Sequence, residues 1–556
     1  MVWKRVTFQV GIVLSILLLT SISNAQLNWR KFAYFDNKGG LNDNSSTTEI
    51  ANNEATDLQN VTFDVGGAIT KRKGFINIPA PKMYAVSTGA VATTKAITGI
   101  CFYKKDSGSR YLLALGNADG EAIAWKKDYG ATAGPATGEW DNITGTTLGS
   151  TYTNNYQPDF AIASDSVIFT TGQSQIPWVW TGTGICTQLT PAPATAATGS
   201  MVKFHKNQMF VGGDSDYPSR VYFSDLGDIT YFYRTDFFDV ATTDGSKVRG
   251  IVSAFDSLYI FKDRSIWRLS GDERDSFRLQ KMVEGIGTLS NASIRVVNNY
   301  IYFTTAQNDI AVYDGAYTCK FISQKIRGTI GDLNFERATN NRGVAFSTYK
   351  YNDYDYYVSV STAGSTTNNR ILVFDTQYSA WTKFRGINAC SMCVGDDDSF
   401  QDSLYFGDYS GYVMRYPSTN YMDGTVATDG TVASVAINAF YQSKWFKYSD
   451  IALGDKYWRL LKTYCLSSDD TILNAECRSD YESSGKVVQV NLTGSADKWD
   501  LGYWDVALWG GESIIVGRDE IEKGVTMFQV KFSNDQVNKG FTLLGYENFM
   551  EPTDRI

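Results

Sequence analysis

Histidine is almost missing: the 556 residues hold one, His205. Most hydrolytic triads and many general-base schemes rest on histidine, and zinc motifs of the HExxH kind need two. His205 sits in KFHKNQMF beside two lysines and no nucleophile motif. It reads as an exposed structural residue rather than a catalytic one. Basic charge is short as well: 51 Lys and Arg face 59 Asp and Glu, giving a net charge of −8 and a pI near 5.0. That excludes a grip on nucleic acid through phosphates, which needs concentrated cations. It does not exclude a conduit, whose wall must not hold the backbone that passes. No Walker loop, dinucleotide fingerprint, WD signature or repeated Asp-box is present. No long helical periodicity exists outside the N-terminus, and proline is scarce at 10 residues.

Cysteine is present without a framework. Seven are irregularly spaced, and Cys390 and Cys393 form a lone CxxC with no second pair for a zinc ribbon. They read as strand cysteines near a propeller edge. Cys465 and Cys477 are spaced to face each other across a hairpin, and the odd total leaves one thiol free or paired between chains. Asp396, Asp397, Asp398 and Asp402 make an acidic knot between two strands, and Asp214 and Asp216 a smaller one. Neither matches a calcium loop, so both read as solvated turns. The expectation is therefore no catalytic residue, no cofactor and no metal ligand: a protein that is not an enzyme.

What is abundant is aromatic residues and glycine: 34 Tyr, 31 Phe, 13 Trp and 49 Gly. Together they favour many short twisted strands. The stretch Arg220–Asp272 shows the unit. RVYFSD alternates as a strand; VRGIVSAF and SLYIFKDRSIWRLS follow as strands joined at Phe255-Asp256-Ser257 and Lys262-Asp263-Arg264. Similar units recur near residues 97–127, 160–181, 201–225, 248–269, 294–322, 343–384 and 390–416. About seven blade-like units of this kind predict an all-β chain with a β-propeller over residues 59–418. The first hairpin, VTFDVGGAITKRKGF, is expected to pair with the last unit and close the ring. Residues 419–432 read as a linker. Longer strands beyond it predict a C-terminal β-sandwich-like domain over 433–556. Residues 26–58 read as an extended polar arm, since nothing in them buries a face alone. The tyrosine run Thr348–Val360 reads as a wall between subunits, where amphipathic rings tolerate partial burial.

Residues 1–25 carry the parts of a secretory signal: Lys4 and Arg5, an apolar run from Val10 to Leu19, then Ser23-Asn24-Ala25. Export, an anchor or an upstream start codon each account for them. The apolar run is too short for a membrane span.

Several runs, in order, resemble the tail nozzle proteins of short-tailed bacteriophages, also called tail-tube or packaged-DNA-stabilisation proteins. They are FDNKGGLNDNSSTTEIANNEATDLQNVTFDVGGAITKRKGF, then RVYFSD with IVSAFDSLYIFKDRSIWRLSGD, then IAVYDGAYTCKFISQKI, FDTQYSAWTKF and LYFGDYSGYVMRY. The resemblance covers most of residues 30–420. It implies a structural virion protein: a propeller protomer in a homo-oligomeric ring, typically a hexamer, below the portal and adaptor. Such a ring meets tail fibre or tail tip proteins, continues the DNA channel without sequence-specific binding, and retains and releases the packaged genome. It implies a place in the virion tail and no stable membrane association. Under this reading Lys71, Arg72, Lys73, Lys325 and Arg327 are subunit-interface charges; Lys71–Lys73 also read simply as a solvated turn. The signal-like start supports a second reading, an exported propeller at the periplasm or cell surface that binds carbohydrate or a surface partner, or hydrolyses glycan.

Overall fold

The alternation of apolar and polar residues along the chain is realised as short antiparallel ladders. A computed structural model describes residues 29–552 except 79–91, 93–94, 130–139, 146, 190–196, 338–341, 344–345, 351–353, 398, 427–431, 448–455, 469 and 494–513. The signal-like segment 1–25 lies outside the described residues.

Seven blades follow one another around a central channel. Blade I is Lys95–Lys104, Arg110–Ala118, Glu121–Tyr129 and Asp141–Asn142. Blade II is Asp159–Ala163, Ser166–Thr170, Trp178–Trp180 and Thr187–Gln188. Blade III is Met201–His205, Gln208–Gly212, Arg220–Phe223 and Phe237–Asp239. Blade IV is Val248–Ala254, Ser257–Lys262, Ser265–Ser270 and Arg278–Glu284. Blade V is Arg295–Val297, Tyr300–Thr304, Ile310–Tyr313 and Cys319–Phe321. Blade VI is Phe346–Lys350, Asp355–Thr362, Arg370–Asp375 and Ala380–Phe384. Blade VII takes Ala389–Asp396, Asp402–Asp408 and Val413–Tyr416 from the end of the propeller and Ile76–Ile78 from its start.

The seven sequence units therefore coincide with the seven blades. In blades II to V the first turn is the same two-residue device: Ser164-Asp165, Lys206-Asn207, Phe255-Asp256 and Asn298-Asn299 all have positive φ at both positions. Such turns carry the twist that matches the flanking strands. Apolar side chains pack between neighbouring blades in a series of small cores.

The C-terminal part is a two-sheet sandwich. One sheet runs Val61–Phe63, Ile69–Lys71, Thr542–Pro552, Lys456–Leu466 and Ile514–Val525, with Arg30–Tyr34 also on Thr542–Pro552. The other runs Gly40–Leu41, Glu54–Gln59, Ala439–Ser443, Met527–Asn534, Ile472–Ser479 and Lys486–Asn491, with Phe446–Lys447 also on Met527–Asn534. Their inner faces bury Trp458, Leu461, Val530, Phe532 and Tyr546.

Three sequence expectations need correction. The expected arm over residues 26–58 is no free arm where it is described: Arg30–Tyr34, Gly40–Leu41 and Glu54–Gln59 are sandwich strands, because Ala55 and Leu58 find their apolar partners nearly 400 residues later. The first hairpin does not close the propeller. It joins the sandwich through Ile69–Lys71, and the next three residues that form a strand, Ile76–Ile78, close the ring instead. The linker region contains its own hairpin, Met422–Val426 with Val432–Ala436. One apolar core, from Leu41 and Leu58 through Ile326, Tyr356 and Trp381 to Leu461 and Val530, runs without a break from sandwich into blades V and VI.

Candidate functional site

Of the five nominated cations, two are buried in bonds within the chain. Arg72 is 1% exposed. Its Nε donates to Asn60 Oδ1 at 3.0 Å, Nη1 to Asp423 Oδ1 at 2.8 Å and to the Lys73 carbonyl, Nη2 to Asp423 Oδ2 at 2.6 Å and to the Arg385 carbonyl. All five donors of the guanidinium are thus used. Lys71 Nζ donates to Asn534 Oδ1 at 2.7 Å and to the Gln536 carbonyl at 3.2 Å, and burial pushes its pKa down to about 8. Neither side chain can face a neighbouring subunit, so that expectation is corrected for both. Lys73 lies over the Tyr421 ring at 3.7 Å. Lys325 pairs with Glu54 at 2.8 Å and Arg327 with Asp309 at 2.7 Å; both side chains stay 47% exposed. Burial alone would raise the Glu54 carboxyl, but bonds from Lys325, Asn42 and the Ala51 N–H bring it below the usual glutamate value. Lys71, Arg72 and Lys325 fasten the N-terminal segment to the sandwich and the propeller, whereas Arg327 pairs within the propeller.

The other singled-out residues are also structural. His205 is buried rather than exposed: it sits where blades III and IV pack, with Nδ1 2.8 Å from Ser253 Oγ. Burial, then the Lys206 charge, holds its pKa below the ordinary value. The acidic knot fastens blade VII to blade I. Arg110 lies 3.8 Å from Asp396, donates to the Asp397 carbonyl and stacks over Phe400 at 4.0 Å, while Asp397 Oδ1 accepts from the Ser399 and Gln401 N–H groups. Asp398 lies outside the described residues. Asp214 accepts from Thr198, Tyr222, Ser174 and its own loop. Among the described residues no group of three or more His, Cys, Asp or Glu is placed to hold a metal ion. All seven cysteines are free; Cys465 and Cys477 sit in different sheets, so they do not face each other across a hairpin. Tyr349, Tyr356 and Tyr357 are buried between blades, not on a subunit wall, and only Tyr354 of that run is exposed among the described residues.

The site that sequence reading missed lies in the central channel. Asn291 of blade V donates to Asp159 of blade II at 2.8 Å, and Ser290 to Gln157 at 2.9 Å, across the channel. Asp159 also accepts from the Phe160 and Val202 N–H groups. Lys203 and Arg295 lie on the inner strands of blades III and V, and Asp159 on that of blade II. Burial holds the Arg295 guanidinium below its ordinary value. Above this cluster is a cavity of about 270 Å³ at the mouth formed by blades II to V, with Lys247, Arg249, Asp214, Gln157, Ser200 and Asn291 in its wall. Arg249 is the second residue of an inner strand; the others come from segments just before an inner strand or just after a second strand. Aligning the units on their strand starts is the one sequence signal that groups them.

No family model matches the chain, and no curated protein matches it. Among solved structures, the WD40 β-propeller domain of Doa1 overlaps 62% of this chain and 96% of its own, at 9% identity and a TM-score of 0.37. YCF48 bound to D1 peptide overlaps 65% of this chain and all of its own, at 9% identity and a TM-score of 0.39. The Pan2 WD40 domain of Neurospora crassa overlaps 63% and 96%, at 10% identity and a TM-score of 0.37. Likeness at this level carries no functional argument; the chain's own seven radial sheets make it an all-β propeller with an appended sandwich.

Proposed function

We propose that this chain is a structural subunit of a short phage tail, a nozzle ring that continues the DNA channel and helps retain and release the packaged genome. What carries the reading is the use made of the family-like opening run. Residues 54–78 complete the sandwich through three strands, supply the Arg72 clamp and close the propeller with a fourth. Those motifs are thus spent on joining two domains into one wall piece. In this reading the ring, typically of six, closes by repeated heterologous contacts, with portal or adaptor on one side and tail fibre or tip proteins on the other. Gating is steric and electrostatic, and no bond is made or broken. The net charge of −8 suits a wall that duplex DNA must leave.

Light scattering and negative-stain imaging of the purified chain test this. A closed ring with a central hole is expected. A monomer at every concentration overturns the proposal, and one that also binds or cleaves glycans favours the exported propeller instead.

A further inference from the structure

We propose that a second cavity, between blades VI and VII beside the first hairpin, binds a neutral sugar ring, one residue of a glycan. The cavity measures about 380 Å³, within the usual ligand-pocket range. Its walls are fastened to one another. Thr382 Oγ1 donates to the Val61 carbonyl at 2.8 Å, the Asn60 N–H to the Lys383 carbonyl at 2.9 Å, and Arg72 holds the Arg385 carbonyl. The polar side of the cavity is a set of acceptors. Asp355 and Asp375 stand directly opposite each other on neighbouring strands of blade VI, so their carboxylates share one face. Asp355 Oδ2 accepts from the Tyr357 hydroxyl at 3.0 Å. Asp375 lines the cavity and is only 6% exposed. Its Oδ1 accepts from the Gln377 and Tyr378 N–H groups at 2.8 and 2.9 Å. Its second oxygen takes no hydrogen bond or ion pair among the described residues. An enclosed carboxylate oxygen of this kind gains most from an O–H donor that replaces lost water.

What surrounds these acceptors selects the ligand. Phe63, Tyr354, Tyr378 and Tyr416 put four aromatic rings in the wall, and such rings pack against the C–H face of a pyranose. Charge argues against an ionic ligand. Lys71 and Lys73 line the wall together with Asp64, Asp355 and Asp375, so a cation and an anion alike meet charge of their own sign at short range. The two lysines do not occupy the carboxylates: Lys71 is spent on Asn534 and Gln536, and Lys73 lies over Tyr421. A sugar offers hydroxyl donors on its edge, an apolar face and no net charge. The site stands equally in a ring subunit and in a monomer, so its test is independent of the ring.

Saturation-transfer NMR of the full chain tests the site, with the methyl glycosides of glucose, galactose, mannose and N-acetylglucosamine as probes and choline as a cationic control. Saturable transfer to the ring C–H protons of at least one glycoside is expected, with a Kd of about 0.1–10 mM, and none to choline. Asp375→Asn keeps an oxygen for the Gln377 and Tyr378 N–H groups and turns the other oxygen into an amide donor. It should weaken binding about tenfold or more. Tyr378→Ala, which removes a ring from the wall, should weaken it about threefold or more. Tyr317→Ala, at an exposed tyrosine of blade V, should leave it unchanged. Absence of saturable transfer to all four glycosides up to about 50 mM overturns the proposal. So does saturable binding of choline, undiminished binding in either cavity variant once a thermal melt shows it folded, or an equal loss in Tyr317→Ala.

Discussion

A guanidinium with five donors can serve three chain segments at once, and Arg72 does. It ties its own strand to Asp423 of the linker hairpin and to the end of blade VI through Arg385. Removing one partner of a buried pair leaves the other charge without compensation, so Asp423→Ala should cost about 3–5 kcal/mol in urea unfolding. Arg72→Lys should not rescue the pair, because a lysine ammonium cannot reproduce the fork. Asp408 makes a different prediction. Burial raises its pKa from 3.8 to about 6, despite N–H groups of Tyr412, Ser410 and Gly411 that pull it down. A carboxyl that binds its proton more tightly when folded stabilises the protein below its unfolded pKa. That contribution is lost as pH rises from near 3.8 to near 6. Asp408→Asn should remove this falling component from a stability-against-pH curve measured by thermal melts; an unchanged curve would contradict the assignment.

At the scale of elements, the closing strand Ile76–Ile78 matters more than its length suggests. It fills the outer position of blade VII and places Ile78, 4% exposed, in the core shared with blade I. Ile78→Ala should destabilise by about 2–5 kcal/mol. Ile76→Ala, at a side chain 36% exposed, should cost much less, and chemical denaturation compares them directly. The sequence showed the blades well, because each is a local run of strands and tight polar turns. It placed the first hairpin beside the last unit, which was close in chain position but wrong in partner. Val61–Phe63 and Ile76–Ile78 are both short strands, and nothing in their composition distinguishes a sandwich edge from a propeller edge.

Across the whole molecule, propeller and sandwich share one apolar core, and Trp381 of blade VI donates its indole N–H to the Ile322 carbonyl within it. Domains joined by a large apolar interface unfold together rather than separately. Calorimetry should therefore give one cooperative transition, coincident by tryptophan fluorescence and circular dichroism; two resolved transitions would show that the shared core does not couple them. The net charge of −8 predicts no retention of duplex DNA at physiological salt, which a gel-shift assay reads directly.

Local chemistry alone determined the strand-rich class, the seven units and the change of texture near residue 420, since alternation and turn residues act over a few positions. Folding decided the rest. It sent the N-terminal strands into the two sheets of the C-terminal sandwich, buried Lys71, Arg72 and His205, turned Tyr349, Tyr356 and Tyr357 inward, and set Asp159, Lys203 and Arg295 on inner strands around one channel. Those groupings join residues far apart in the chain. Their pairing depends on which apolar faces find each other once the ring closes, and no short stretch of sequence records that.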